Sequence, residues 1–238
     1  MTNAILMASG LGTRMRPLTD TTPKPLIKIG DKPMIETVIE ALQKVNINKI
    51  YIVVGYLGEQ FDYLKSKYTN IEIIKNPDYN TINNISSIYY AQNKLRESDC
   101  YICEADLYIS DSDIFKTTPK FSCYFGKYVE GASDDWVFEL DTQDYIKRVG
   151  KFGTNCYNMV GLSYFTLQDG KILADAIENQ YNKAGYETMF WDDVVNNNLD
   201  KLKLRINPVN SEQITEIDTV EELNSVNEKV KNESRTFN

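Results

Sequence analysis

The residues best equipped for chemistry stand near the N-terminus, in the string Ser9-Gly10-Leu11-Gly12-Thr13-Arg14 and, a short way on, in Pro23-Lys24-Pro25. Gly10 and Gly12 allow a backbone to come close to an anion and turn its N–H groups toward it. Arg14 can fork two phosphate oxygens and Lys24 offers a compact charge. Such a set is suited to a triphosphate. The bland alternative is a simple turn with Arg14 in solvent, but a full string completed by P-K-P disfavours it. Two other phosphate loops fail on spacing: a dinucleotide fingerprint needs a third glycine where Met15 stands, and a Walker loop needs Gly-Lys-Ser/Thr.

Carboxylates form the second set. Glu104-Ala105-Asp106 ends a hydrophobic run, and strand alternation puts Glu104 and Asp106 on one side. Asp218 precedes the last helical pattern and is the best second partner, although a helix-capping role also suits it. Two carboxylates with substrate phosphates make a fitting Mg²⁺ site, so Asp106 and Asp218 are the candidate metal ligands. Asp111 and Asp113 read as solvated turn residues. The chain has no histidine, which excludes mechanisms built on imidazole. Cys100 and Cys103 form a lone C-x-x-C whose odd spacing on a strand points the thiols to opposite faces, so reduced core thiols are expected rather than zinc.

The elements that must position these residues alternate. Ala4–Ala8 reads as a buried strand, Pro33–Val45 as a helix with one apolar stripe, Lys49–Val54 as a strand, Gly58–Lys67 as a helix, Ile71–Lys75 as a strand, Asn84–Lys94 as a helix and Cys100–Ala105 as a strand. This order predicts an α/β fold: a Rossmann-like, mostly parallel mixed sheet flanked by helices. Ligands of such sheets bind outside the carboxyl ends of the strands, where the loops beginning at Ser9, Gly55 and Glu104 lie. After about residue 110, Phe121–Tyr128, Trp136–Leu140 and Asn158–Phe165 read as antiparallel strands, a β-rich region, followed by a helix over Gln168–Tyr181. Thr219-Val220-Glu221-Glu222 fits a capping box, and fraying is expected past Lys231. The expected organisation is one domain over 1–230, with about 1–110 binding a nucleotide, about 111–230 binding an acceptor, and 231–238 a tail.

With 238 residues and a net charge of −8, the chain can bury a full core but offers no basic surface for nucleic acid. No run is long enough to cross a bilayer and no signal peptide is visible, so a cytoplasmic protein is expected.

G-L-G-T-R-x-R-P-L-T followed by T-P-K-P-L resembles the signature of the sugar-nucleotidyltransferase superfamily. The resemblance implies that the glycine-rich loop wraps the triphosphate of an NTP, that Arg14 and Lys24 stabilise charge in catalysis, and that Asp106 and Asp218 hold the metal. Glu104 departs from the aspartate that relatives often carry. On this footing the expected nucleotide-binding residues are Ala8, Ser9, Gly10, Leu11, Gly12, Thr13, Arg14, Lys24, Gly55, Tyr56, Asn84, Ser87, Glu104 and Ala105. Asn84 and Ser87 also suit plain helix capping.

Within that superfamily, Tyr79–Ser87, Val54–Leu64, the Trp136 segment, Phe190–Asp193 and Glu216–Asp218 are similar to the bacterial choline-phosphate cytidylyltransferases. The implied reaction joins CMP from CTP to phosphocholine, giving CDP-choline and pyrophosphate. A trimethylammonium has no N–H and is met by aromatic faces and carboxylates, so Trp136 with Asp134, and Trp191 with Asp192, are the expected acceptor site; core packing of both tryptophans is the alternative. A primary ammonium, as in 2-aminoethylphosphonate or phosphoethanolamine, would lean more on the carboxylates. A sugar-1-phosphate acceptor with UTP or dTTP is a further alternative. A glycosyltransferase leaves the glycine string unexplained, and a nucleotide-sensing regulatory subunit fits poorly with Lys24, Asp106 and Asp218 retained together.

Overall fold

In the computed structural model, which describes residues 1–210 and 212–236 (233–236 by their helical backbone alone), the strands are β1 Thr2–Ala8, β2 Lys28–Ile29, β3 Lys32–Pro33, β4 Ile47–Val54, β5 Ile71–Lys75, β6 Asp99–Glu104, β7 Leu107–Ile109, β8 Cys123–Leu140, β9 Ile146–Phe165, β10 Arg205–Pro208 and β11 Ile214–Glu216. The helices are α1 Met34–Gln43, α2 Leu64–Lys67, α3 Ile85–Leu95, α4 Leu167–Gln180, α5 Trp191–Asn196 and α6 Val220–Thr236.

One seven-stranded sheet runs in the order β10-β8-β9-β6-β1-β4-β5. Strands β5, β4, β1 and β6 are parallel, β9 is antiparallel to both β6 and β8, and β10 is parallel to β8. The parallel half is apolar on both faces because helices cover both. Ala4, Leu6 and Ala8 of β1 face a core shared with Ile35, Val38, Ile39 and Leu42 of α1 and Leu64 of α2. Ile5, between them, faces the opposite core with Ile88 of α3, Leu173 of α4 and Val194 of α5. Cys100 and Cys103 divide between the two cores, and all four thiols are free and buried.

The expected helix over Gly58–Lys67 divides into a 3₁₀ turn, Gly58–Phe61, and the short α2. Leu57 lies in the left-handed region at φ 48°, which starts the segment from a turn. The β-rich region is more continuous than its sequence predicts. Strands β8 and β9 each run through residues left as turns, with register shifts near Val129–Ala132 and a second pairing of Val137 and Phe138. Gly131 at φ 83° and Asn155 at φ 49° let each strand bend back on itself. The capping box at Thr219 forms: Thr219 Oγ1 accepts from Glu222 N, and Glu222 Oε2 accepts from the N–H groups of Asp218 and Thr219. Helix α6 continues to Thr236, past Lys231 where fraying is expected; Phe237 and Asn238 lie outside the described residues. No described helix is long and apolar enough to cross a membrane.

Candidate active site

At the carboxyl ends of β1 and β6 lies a cleft of about 340 Å³ lined by residues around Gly10, Lys24, Asn84, Asp106 and Glu216. Its floor is the loop leaving β1. Ser9–Gly12 stands outside any helix or ladder, and a 3₁₀ turn over Thr13–Met15 follows. Gly12 sits at φ 62°, and a Cβ there would meet Lys24 Cβ at 2.9 Å and Thr19 Cγ2 at 3.0 Å, so this position needs glycine on two counts. Thr19 Oγ1 donates to Gly12 O at 2.8 Å. Tyr56 fixes the loop from behind: its N–H reaches Ser9 O at 3.1 Å, and its hydroxyl donates to Thr19 O at 2.9 Å.

Lys24 is held by the turn Lys24–Leu26 between two prolines and is 7% exposed. Its Nζ donates to Asp106 Oδ2 at 2.5 Å and to Asp218 Oδ1 at 2.6 Å, and Arg14 donates to that same Asp218 oxygen at 2.7 Å. Burial alone would depress the ammonium, but the two carboxylates outweigh it and hold the Lys24 pKa above its ordinary value. Two acids 112 positions apart meet because β7 and β11 pair antiparallel, with Glu216 opposite Leu107. That register carries Asp218 to the place where Asp106 leaves the sheet.

Glu104 and Glu216 complete the acidic wall. Loss of hydration pushes the Glu104 carboxyl well up, with the charges of Glu216, Asp106 and Asp192 adding to it. Glu216 is likewise raised, by desolvation within the cleft and then by Asp106 and Asp218. Its side chain keeps contact with solvent at the cleft mouth while protein crowds its remaining sides. Four carboxyl groups thus face two cations. Among the described residues no group of three or more acids, cysteines or histidines is arranged to hold a metal alone. Asp106 and Asp218 nevertheless present hard oxygens side by side, the donor type that suits Mg²⁺ when nucleotide phosphates complete the shell.

The expected site residues therefore separate. Ala8, Ser9, Gly10, Gly12, Thr13, Arg14, Lys24, Asn84, Ser87, Glu104, Asp106 and Asp218 all line the cleft. Leu11, Gly55, Tyr56 and Ala105 are not part of that lining. Ala105 is fully buried, and a Cβ at Gly55 would strike the Tyr79 ring at 2.5 Å, so these positions support the wall. In the acceptor group, Trp191 and Asp192 are buried in the core. Trp191 is 3% exposed and stacked on Tyr124 at 5.8 Å between centroids, because it begins the buried face of α5. Asp192 accepts from the Tyr124 hydroxyl at 2.8 Å, and burial pushes its carboxyl up to about 7. Trp136 is half-buried, edge-on to Phe190 at 5.2 Å. Asp134 is exposed in a shallow depression with Ser133 and Phe152. No two-tryptophan cage forms.

Glu216, Asn83, Ser86 and the buried Asn76 were missed. Glu216 stands two residues before Asp218, the spacing of Glu104 and Asp106, and that repeat was a usable signal. Asn76 carries no sequence signal.

Comparison with known proteins agrees with this geometry. The model of the nucleotidyl transferase family matches residues 3–124, and a 2-aminoethylphosphonate cytidylyltransferase of Lancefieldella rimae is 53% identical, over 93% of this chain and 90% of that one. The chain belongs to the nucleotidyl transferase family. A choline-phosphate cytidylyltransferase of Streptococcus pneumoniae is 34% identical over 97% of this chain and 99% of that protein. A solved structure of CTP:phosphocholine cytidylyltransferase from the same organism superposes with a TM-score of 0.86 at 31% identity, covering 96% and 99% of the two chains. In this chain the glycine loop, Lys24 and the two aspartates converge on one cleft.

Proposed function

We propose that this nucleotidyltransferase is a cytidylyltransferase that joins CMP from CTP to 2-aminoethylphosphonate. The observation that carries the transferase chemistry is the single cleft in which Lys24, Arg14, Asp106 and Asp218 meet the glycine loop. CTP, rather than another NTP, is supported by the cytidylyltransferase relatives on both sides of the acceptor question. For the acceptor, the cleft wall offers carboxylates (Glu104 and Glu216 beside the aspartates), while Trp191 is closed off in the core. A primary ammonium has N–H groups to give to such carboxylates; a trimethylammonium does not. The 53% identity to a 2-aminoethylphosphonate cytidylyltransferase points the same way.

In this reading a phosphonate oxygen of the acceptor attacks the α-phosphorus of CTP. The bond between α-phosphorus and the bridging oxygen breaks, and pyrophosphate leaves with the electron pair. The glycine loop and Arg14 hold the β- and γ-phosphates, and Lys24 turns from the aspartates to the charge growing on the α-phosphate. A magnesium ion, which Asp106 and Asp218 would hold together with the phosphates, supplies further charge neutralisation when bound. The acceptor would reach the α-phosphorus with its ammonium beside Glu104 and Glu216 in the cleft wall.

Phosphocholine is the second reading, favoured by the S. pneumoniae relative and by the half-buried Trp136. Pyrophosphate release measured over a panel of NTPs and acceptors decides between them. CTP with 2-aminoethylphosphonate is expected to exceed CTP with phosphocholine by at least tenfold in kcat/KM. A reversed order would install phosphocholine, and release only with a sugar-1-phosphate would overturn the cytidylyltransferase assignment.

A further inference from the structure

Asn76 follows β5 and is 1% exposed, yet its side chain joins three elements of the cleft. Its Oδ1 accepts from the backbone N–H of Asp78 at 3.0 Å, which fixes the amide with Nδ2 turned the other way. Nδ2 donates to Ser86 Oγ at 2.8 Å and reaches Ser9 Oγ at 3.3 Å and Ser87 Oγ at 3.4 Å. Ser86 in turn donates to Asn83 O at 2.9 Å. Ser9 belongs to the phosphate loop and Ser87 to the first turn of α3, and the two hydroxyls bond each other at 2.7 Å. Both line the cleft.

Proton bookkeeping gives this network a direction. An amide NH₂ only donates, and each hydroxyl carries one proton. Of the two protons on Ser9 and Ser87, one is used between them. The other cannot pass to Asn76 Nδ2, which accepts nothing. We propose that Asn76 is a positioning residue that, by giving the Ser9–Ser87 pair donors and no inward acceptor, leaves the second hydroxyl proton of the pair to an acceptor atom of the bound nucleotide. This rests on the reading that the cleft takes CTP. It adds a residue buried outside the cleft lining that keeps the wall a donor.

Asn76→Asp tests it, being nearly isosteric. It keeps an acceptor for Asp78 N but replaces the donor by an acceptor, which draws the serine protons inward. Calorimetry is expected to show at least a tenfold rise in Kd for CTP, with the KM of the phosphonate acceptor unchanged. Asn76→Ala removes the donor without offering an acceptor and leaves the pair free to donate. Its melting temperature is expected to fall while its Kd for CTP rises less than threefold. In a Ser87→Ala background the effect of N76D is expected to shrink below threefold, because the relay is already cut. A wild-type Kd in N76D, a tenfold loss in N76A, or an N76D effect undiminished by Ser87→Ala would overturn the role of Asn76. A tenfold loss in N76A would overturn the role even if N76D does not fold. A flat wild-type isotherm with CTP would refute the proposed function itself, and the assignment of the donor to a nucleotide with it.

Discussion

Gly10 and Gly12 are equivalent in sequence and unlike in structure. A Cβ at Gly10 meets nothing within 4 Å, whereas at Gly12 it collides with the stems of Lys24 and Thr19 from a left-handed backbone. Gly12→Ala is therefore expected to cost stability, at about 1–2 kcal/mol for the backbone alone, and to displace Lys24. Gly10→Ala should leave the melting temperature unchanged and raise Kd for CTP, since only a ligand fills the space it enters. Thermal melts beside nucleotide titrations check both, and a G12A protein as stable as wild type would remove the steric argument. At this scale the sequence was most informative where charge had to be concentrated. Arg14, Lys24, Asp106 and Asp218, singled out together in the sequence, do meet in one cleft, where two cations are set against the carboxyl groups. Trp191 was misleading because an aromatic beside acids looks the same in sequence whether it faces a ligand or a core. Burial decided it.

The elements were legible in proportion to their regularity. Strand β5 falls on Ile71–Lys75 as predicted, and α1, α3 and α4 lie within a few residues of their apolar patterns. The short α5, β7, β10 and β11 carry too few residues to show a period, and β7 and β11 are the pair that brings the aspartates together. Packing of α1 against the α2 segment depends on Glu36. This carboxylate is 2% exposed and accepts from the hydroxyls of Tyr63 at 2.7 Å and Tyr68 at 2.9 Å as well as from Lys67. Desolvation works to raise its pKa, but these three donors together lower it below the ordinary value. A carboxyl whose folded pKa is depressed stabilises the fold above its unfolded pKa, and the contribution is lost as pH falls through the folded value. Glu36→Gln is thus expected to cost about 1.5–3 kcal/mol at neutral pH. That difference from wild type should vanish in acid, below the lowered pKa. Denaturant unfolding of both proteins from neutral pH into the acid range checks this; a difference independent of pH would refute the ionic origin.

Across the whole molecule, a small third core joins the two ends of the chain. Met15, fully buried beneath the phosphate loop, packs with Ile27, Ile29 and Met34 and with Ile217, Leu223 and Val226 from the C-terminal segment. Gly30 N–H also donates to Asn227 Oδ1 at 2.7 Å. Periodicity predicted α6, but nothing local in the sequence says that it clamps the residues around Met15, because that contact spans the length of the chain. Leu223→Ala is expected to destabilise by a value at the low end of about 2–5 kcal/mol and to raise KM for CTP while leaving that of the acceptor near wild type. Steady-state kinetics on the folded variant check this, and an unaltered KM for CTP would separate α6 from the phosphate loop.

Lys24 makes this dependence on the far end of the chain a matter of timing during synthesis. Its partner Asp218 is made 194 residues after it, and the clamp at Val226 later still. A nascent chain that has already exposed the whole glycine-rich string still lacks half of the acidic pair and the lid over Met15. A fragment that ends before β11 therefore carries the glycine-rich string without Asp218 and without the C-terminal side chains that pack on Met15.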